Sequence, residues 1–331
     1  ALSQMTLYAK GTLLLVTRSG ILRHSLPIAI LDYPATVNQD IKTISCFSSN
    51  LNKFVLWAIK AQEELILKDF HKDGTTVDSI DFDKFKSLSL PIPPKEEQKR
   101  IISQIELLFG YTSQIDDSRD HITKLVSATK SKILDLAMQG KLVPQDSTDE
   151  PAADMLRRIN PKARIITDNP HYPQLPDNWV LVPLEDITEY EQPQPYIVQD
   201  TLYSDTYTIP VLTAGKSFIL GYTNEDFGVY DNVPAIIFDD FTTDSKLVEF
   251  HFKVKSSAMK IIQVKRGLSI EYVAMFMSTT RLIGETHKRY WISEYSKILI
   301  PIPPLEEQNR IVEKVNSIYC ELDKIISALS E

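Results

Sequence analysis

Cysteine is nearly absent: Cys46 and Cys320 are the only two in 331 residues. They lie far apart, so neither a disulfide framework nor a cysteine-rich zinc site is expected, and a reducing cytoplasm is the expected compartment. Glycine is scarce as well, ten in the whole chain. No glycine-rich strand–turn–helix that would cradle a methyl donor can be picked out. Long apolar runs are missing: LLLV (13–16) and AIIF (235–238) are interrupted by polar residues within a few positions, far short of the ~20 residues that span a bilayer. The opening ALSQMTLYAKGTLLLVTRSG lacks the basic-then-apolar order of a secretory signal and an initiating Met, so the N-terminus reads as trimmed.

A basic surplus is missing too, since the net charge is −8. Its distribution is uneven. Glu185 to Glu249 holds thirteen acidic side chains against two lysines, whereas His251 to Lys297 holds nine basic against three acidic. The first 31 residues carry Lys10, Arg18 and Arg23 and no acid. Phosphate binding follows the local field rather than the total, so nucleic acid stays open as a partner. Solvated charged faces would give the same letters. At 43% hydrophobic and 24% charged, with enough length for two or three cored domains, the chain reads as globular.

What the chain does have is a repeat. PIPPKEEQKRIISQIELLF begins at Pro91 and PIPPLEEQNRIVEKVNSIY at Pro301, 210 residues later, with nine of the first eleven positions identical. The paired prolines mark a helix start, and the glutamates after them complement the helix dipole. Apolar residues then step by four and three: Ile101, Ile105 and Leu108, then Ile115 and Ile122, in a first copy interrupted by Thr112 and Arg119, and Ile311, Val315, Ile318, Leu322, Ile325 and Leu329 in a cleaner second copy. That 3.5-residue period predicts a coiled-coil seam. The first helix is predicted to run to Met138, with Gly140 as its stop, a rod of ~65 Å at 1.5 Å per residue. Neither helix is stable alone in water, so the two are expected to pack on each other.

The fold class expected is α+β: two mixed domains separated by two long helices packed as an antiparallel coiled coil with a pseudo-two-fold axis. The domains are 1–90, a helix over 91–140, a connector over 141–174 with a short helix near 152–159, a second domain over 175–300 and a second helix over 301–331. In the first domain GTLLLVT, IAIL and TVNQDIKTI read as strands and 52–70 as one helix. In the second, YTIPVLTAG, VPAIIFDDF and FHFKVKS read as strands and 270–283 as a helix. Trp57, Trp179 and Trp291 read as core.

PIPPKEEQKRI and PIPPLEEQNRI, with LAMQGKLVPQDSTDEPA (136–152) and LPDNW (175–179), resemble the specificity subunits of type I restriction–modification systems. VTRSG (16–20), VNQD (37–40), GTTV (74–77) and VLTAG (211–215) resemble segments within that family's target-recognition domains. The resemblance covers nearly the whole chain. It implies two target-recognition domains that read the halves of a bipartite, asymmetric site in double-stranded DNA, with the helices as spacers. It implies no catalytic centre and no cofactor on this chain. Two partner methyltransferase subunits would use S-adenosylmethionine to methylate adenine N6, and translocating restriction subunits would join them. Counting back 210 residues from Leu175 leaves the first domain without its expected beginning.

Polar and basic loop residues are the candidates for DNA: Thr17, Arg18, Ser19, Arg23, Lys72, Thr75 and Thr76 in the first domain, and Thr213, Lys216, Tyr222, Lys253, Lys255, His287, Lys288, Arg289 and Tyr290 in the second. Arginine pairs with guanine through two hydrogen bonds, and lysine mainly neutralises phosphate. Rival motifs are short. Asn169-Pro170-His171-Tyr172 is reminiscent of an amino-methyltransferase NPPY, and Asp239, Asp240, Asp244 and Lys246 echo a nuclease metal site, though an acidic loop gives the same letters. A coiled-coil scaffold binding only protein is the alternative from another class. No metal site is expected.

Overall fold

A computed structural model describes residues 6–74, 77–166, 175–213, 218–282 and 288–329. The chain divides into two compact units, Ala1–Ser118 and Arg119–Glu331, and the division falls inside a long helix. The architecture is α+β. No helix among the described residues is long and apolar enough to cross a membrane.

In the first unit, β1 (Leu13–Val16) is the centre of a three-stranded antiparallel sheet, flanked by β2 (Ile28–Ile30) and β3 (Ile41–Ile44). Leu13 stands opposite both Ile30 and Ile44. Alternation along β1 sends Leu13 and Leu15 into a core shared with Leu22, Leu26, Ile59 and Ile66. The helix expected over 52–70 is two: α1 (Ser49–Lys60), capped by the Ser48 hydroxyl, and α2 (Glu63–Asp69). The chain turns at Ala61–Gln62, which lets Ile66 enter the core while the Glu63 carboxylate accepts from the Leu26 amide. Asn52 ties α1 to the sheet, donating to the Gly11 carbonyl at 2.6 Å and accepting from the Cys46 amide at 3.1 Å. Two short paired strands, β4 (His71–Lys72) and β5 (Ser79–Ile80), follow, then α3 (Phe82–Lys86), capped by Asp81. Trp57 is half-buried rather than core, its ring stacked 4.9 Å from Phe109.

The long helix α4 spans Lys95–Met138. It ends at Gly140, whose φ of +67° is a left-handed value glycine adopts without strain; a side chain there would also strike Pro176. Next come α5 (Ala152–Ile159), β6 (Val180–Pro183), α6 (Leu184–Ile187), β7 (Thr188–Glu191), β8 (Ile209–Leu212), β9 (Ile219–Thr223), β10 (Ala235–Asp239), β11 (Ser245–Val248), β12 (Lys253–Val254), β13 (Met259–Val264), α7 (Ile270–Thr279), β14 (Leu299–Ile302) and α8 (Leu305–Ala328). β11-β10-β13-β7 form an antiparallel sheet; β12 runs parallel to β8, which pairs antiparallel with β9; and β14 pairs with β6. The period of two along β10 divides its side chains between two cores. Ala235 and Ile237 face Tyr230, Phe252 and Val254, while Ile236 and Phe238 face a larger cluster with Trp179, Tyr272, Trp291 and Ile311.

The end of α4 packs on α8 inside the second unit. Tyr319 donates to the Lys130 carbonyl at 2.9 Å, Lys130 pairs with Asp323 at 2.6 Å, and the Arg119 guanidinium donates to the Leu329 carbonyl. Numbers rise along one helix as they fall along the other, so the pair is antiparallel. Ile133, Leu134, Ala137 and Met138 of α4 share one buried cluster with Ile311 and Val315 of α8, with Ile318 and Leu322 partly buried against it; Val126 of α4 is buried as well. This corrects the expected α4 stripe: Ile101, Leu108 and Ile115 are exposed, and Ile105 and Ile122 only half-buried. In α8, Ile325 is exposed and Leu329 half-buried. An antiparallel pair sets the late turns of one helix against the early turns of the other, so matched positions of the two copies do not share one layer.

Candidate nucleic-acid interface

In the first unit three distant segments are stitched together by backbone bonds. Ile80 N–H donates to the Thr17 carbonyl at 2.9 Å and Ser19 N–H to the Asp78 carbonyl at 3.0 Å, and Arg18 and Ser79 form an isolated bridge. The VTRSG segment therefore lies beside the β4–β5 strands. Ser19 caps the short 3-10 turn Gly20–Arg23, its hydroxyl accepting from the Ile21 amide at 3.4 Å. Arg18, Arg23 and Lys72 stay exposed on this rim. Arg23 Nε donates to Asp78 at 2.7 Å, and Lys72 Nζ lies 2.8 Å from Asp81. The Arg23 guanidinium, helped by the Gly74 amide, pulls the Asp78 carboxyl down to about 2. Thr17 is a correction: it is buried, and its hydroxyl donates to the Asp40 carbonyl at 3.1 Å, leaving no surface for a ligand. Thr75 and Thr76 lie outside the described residues.

The second unit sorts its candidates more severely. Lys253 is fully buried; its amine lies 3.0 Å from the Glu225 carboxylate and donates to the Phe227 carbonyl at 2.6 Å. A buried carboxylate needs a charge partner and donors, and Glu225 has both, since it also accepts from the Gln199 amide at 2.9 Å and from the Asp200 amide. Burial pushes the Glu225 carboxyl up, but the bonds from Asp200 and Lys253 outweigh it and hold the group below its ordinary value. Lys253 is thus a structural cation. Tyr290 is a second correction, buried among Trp291, Tyr295 and Phe238 in the larger core. Thr213, Tyr222 and Lys255 are half-buried, and Lys255 donates to the Tyr203 hydroxyl at 3.3 Å. Lys288 and Arg289 are exposed, the first paired with Glu294 and the second 5.7 Å from the Phe241 ring centroid. Lys216, His287 and the Asn169–Tyr172 tetrapeptide lie outside the described residues.

The acidic run after β10 is a turn, with each carboxylate engaged. Asp239 accepts from the Phe241 amide at 2.8 Å and from the Thr242 hydroxyl at 2.8 Å. Asp240 accepts from the Trp291 amide at 2.8 Å and lies 3.6 Å from the buried Lys260 amine. Asp244 pairs with Arg281 at 2.6 Å, while Lys246 Nζ lies 4.4 Å from the Phe218 ring centroid. These bonds hold Arg281 and the backbone of Tyr290 and Trp291 against the turn, and Phe241 is exposed. Sequence reasoning missed Phe241 and Arg281; their signal was the charge run itself, whose acids were visible without their partners. Among the described residues His71, Asp73 and Asp78 bring possible metal-ligand atoms within 4.8 Å of one another, but the Asp78 carboxylate is already taken by Arg23.

A family model described as "Type I restriction modification DNA specificity domain" matches residues 4–119 and 176–329. The chain is 47% identical over 156 residues to the type I restriction enzyme EcoR124I/EcoR124II specificity subunit of Escherichia coli, a match covering 45% of this chain and 39% of that protein. To the EcoAI specificity subunit of the same organism it is 22% identical over 326 residues, covering 73% of this chain and 55% of that one. The chain therefore spans between 39% and 55% of the length of these two relatives. A chain from a solved structure described as the structural basis of complex assembly and conformational transition of the type I R-M system has 17% identity and a TM-score of 0.64, covering 100% of this chain and 80% of that one, which shows a shared fold.

Proposed function

The chain belongs to the type I restriction modification DNA specificity family, and on that premise we propose that it reads DNA sequence for a type I restriction–modification complex. The reading is carried by one observation: in the first unit Arg18 and Arg23, and Lys72 from a distant segment, are exposed on one rim where backbone bonds join residues 17–19 to residues 78–80. The second unit offers the exposed cations Arg281, Lys288 and Arg289, the last beside the exposed Phe241 ring.

The chain performs no chemistry in this proposal. It docks two methyltransferase subunits, which carry S-adenosylmethionine and methylate adenine N6, and translocating restriction subunits join in the cytoplasm. The two units differ in sequence, so the halves of the target differ, and α4, 44 residues long, sets the unread gap between them. One heptad is about 10.5 Å of helix, close to the rise of three base pairs. Leu107, Leu108, Tyr111 and Ile115 are exposed on α4 and provide an apolar strip for a protein partner.

The test is duplex binding by the chain with its methyltransferase across a salt series. The expected result is a linear fall of log affinity with log salt, with slope about −0.9 for each phosphate neutralised. A flat response would favour the protein-only scaffold.

A further inference from the structure

Arg23 and Lys72 are both exposed cations paired with an acid, yet the two acids differ. Asp78 is 2% exposed, while 59% of the Arg23 side-chain surface faces solvent. The carboxylate is held from several sides. Gly74 N–H donates to its Oδ1 at 3.3 Å, His71 Nε2 lies 3.4 Å from its Oδ2, and the residue's carbonyl accepts from the Ser19 amide. Against this fixed group Arg23 uses Nε, at 2.7 Å, and only weakly Nη2, at 3.5 Å.

We propose that Asp78 is a positioning residue that orients Arg23 to read a guanine-bearing base pair. This rests on the DNA-reading proposal above. With Nε committed, the donors left to the guanidinium are its terminal pair, the fork that matches guanine O6 and N7 in the major groove. Fixing the side chain before DNA arrives removes most of the rotamer entropy it would otherwise lose on binding. The charge balance points the same way. A side chain meant to neutralise phosphate is weakened by a carboxylate beside it, because the pair carries almost no net charge and releases few counterions. Orientation is what the pair provides, and orientation discriminates between bases. Lys72, beside an acid that also caps α3, is the contrast: a single flexible ammonium has no fork for its carboxylate to orient.

The experiment uses the full chain with its partner methyltransferase on duplex libraries randomised at each target position, with methylated adenine read by sequencing. Wild type is expected to prefer guanine at one position of one half-site, and Arg23→Ala to lose that preference by about five- to a hundredfold. Arg23→Lys, which keeps the charge, is expected to lose it as well. Asp78→Asn should lose much of the preference, and the Arg23→Ala, Asp78→Asn double variant should be no worse than Arg23→Ala alone. On duplexes lacking the target, Asp78→Asn should bind at least as tightly as wild type, with a salt slope steeper by up to about 0.9, because an arginine charge is uncovered. A brace with no reading role gives another pattern: Asp78→Asn would weaken target and non-target binding together and leave the base preference intact, which would overturn the proposal. An unchanged profile in Arg23→Ala would overturn it too, while leaving DNA reading by the chain standing. Salt-dependent binding with no base preference in wild type would overturn both.

Discussion

Nearly the same eleven letters, at Pro91 and at Pro301, meet two environments. In both copies the glutamine after the glutamates folds back to hold the proline stretch: Gln98 donates to the Pro93 carbonyl at 2.8 Å and Gln308 to the Pro303 carbonyl at 2.9 Å. Each backbone amide of that pair also closes the first helical turn on Pro94 or Pro304. Beyond this local clasp the copies diverge. Pro301 and Ile302 belong to β14 and pair with Leu181 and Val180, whereas Ile92 is exposed. Glu307 is fully buried, accepting from Trp179 Nε1 at 3.0 Å and from Gln145, while Glu97 is exposed. Arg310 pairs with Asp149 at 2.6 Å, whereas Arg100 is exposed. The motif therefore builds a helix start unaided, and its remaining side chains gain a structural role only where a tryptophan, a glutamine and an aspartate come to meet them.

That contrast can be broken at single positions. The largest difference is expected at the first apolar position that the two helices share. Ile311 is fully buried and Ile101 is 36% exposed. Ile311→Ala should cost about 2–4 kcal/mol by lost burial and a residual cavity, and Ile101→Ala no more than about 0.5 kcal/mol, as read from denaturant unfolding of the full chain. Equal losses would mean that the two copies are packed alike.

A smaller, pH-dependent difference is expected at the glutamates. Burial pushes the Glu307 carboxyl above its ordinary 4.5, more than the bonds from Trp179 and Gln145 lower it. The folded state therefore favours the protonated form. Its contribution is fully present below 4.5 and is lost as the pH rises through the folded value. Compared with Glu307→Gln, wild type should gain stability as the pH falls from 7 toward 4.5. Unfolding midpoints across that pH range check it, and a flat Glu307 comparison would contradict it. Asp78 runs the other way: its carboxyl is held near 2, so its contribution is present above 3.8 and fades as the pH falls toward 2.

Local features were legible in the sequence. The prolines and glutamates placed both helix starts, Gly140 placed the stop of α4, and the apolar runs placed β1, β8 and β10. Charge partnership was not. Lys253 and Lys255 look alike in FHFKVKS, yet only Lys253 meets Glu225, 28 residues earlier, and so only it is wholly buried. Tyr290 sits in a basic loop by sequence and in an aromatic core by structure. The helical stripe was read with the correct period, but the period does not say which turns face each other across an antiparallel pair. Asp78 carried no signal, because its partner Arg23 lies 55 residues away.

The most direct test is to expose genomic DNA to this chain with its methyltransferase and S-adenosylmethionine, then locate every N6-methyladenine. The account predicts one motif made of two unlike blocks with a constant run of unread bases between them. Adenines methylated with no shared sequence around them, or within a single uninterrupted block, would contradict it.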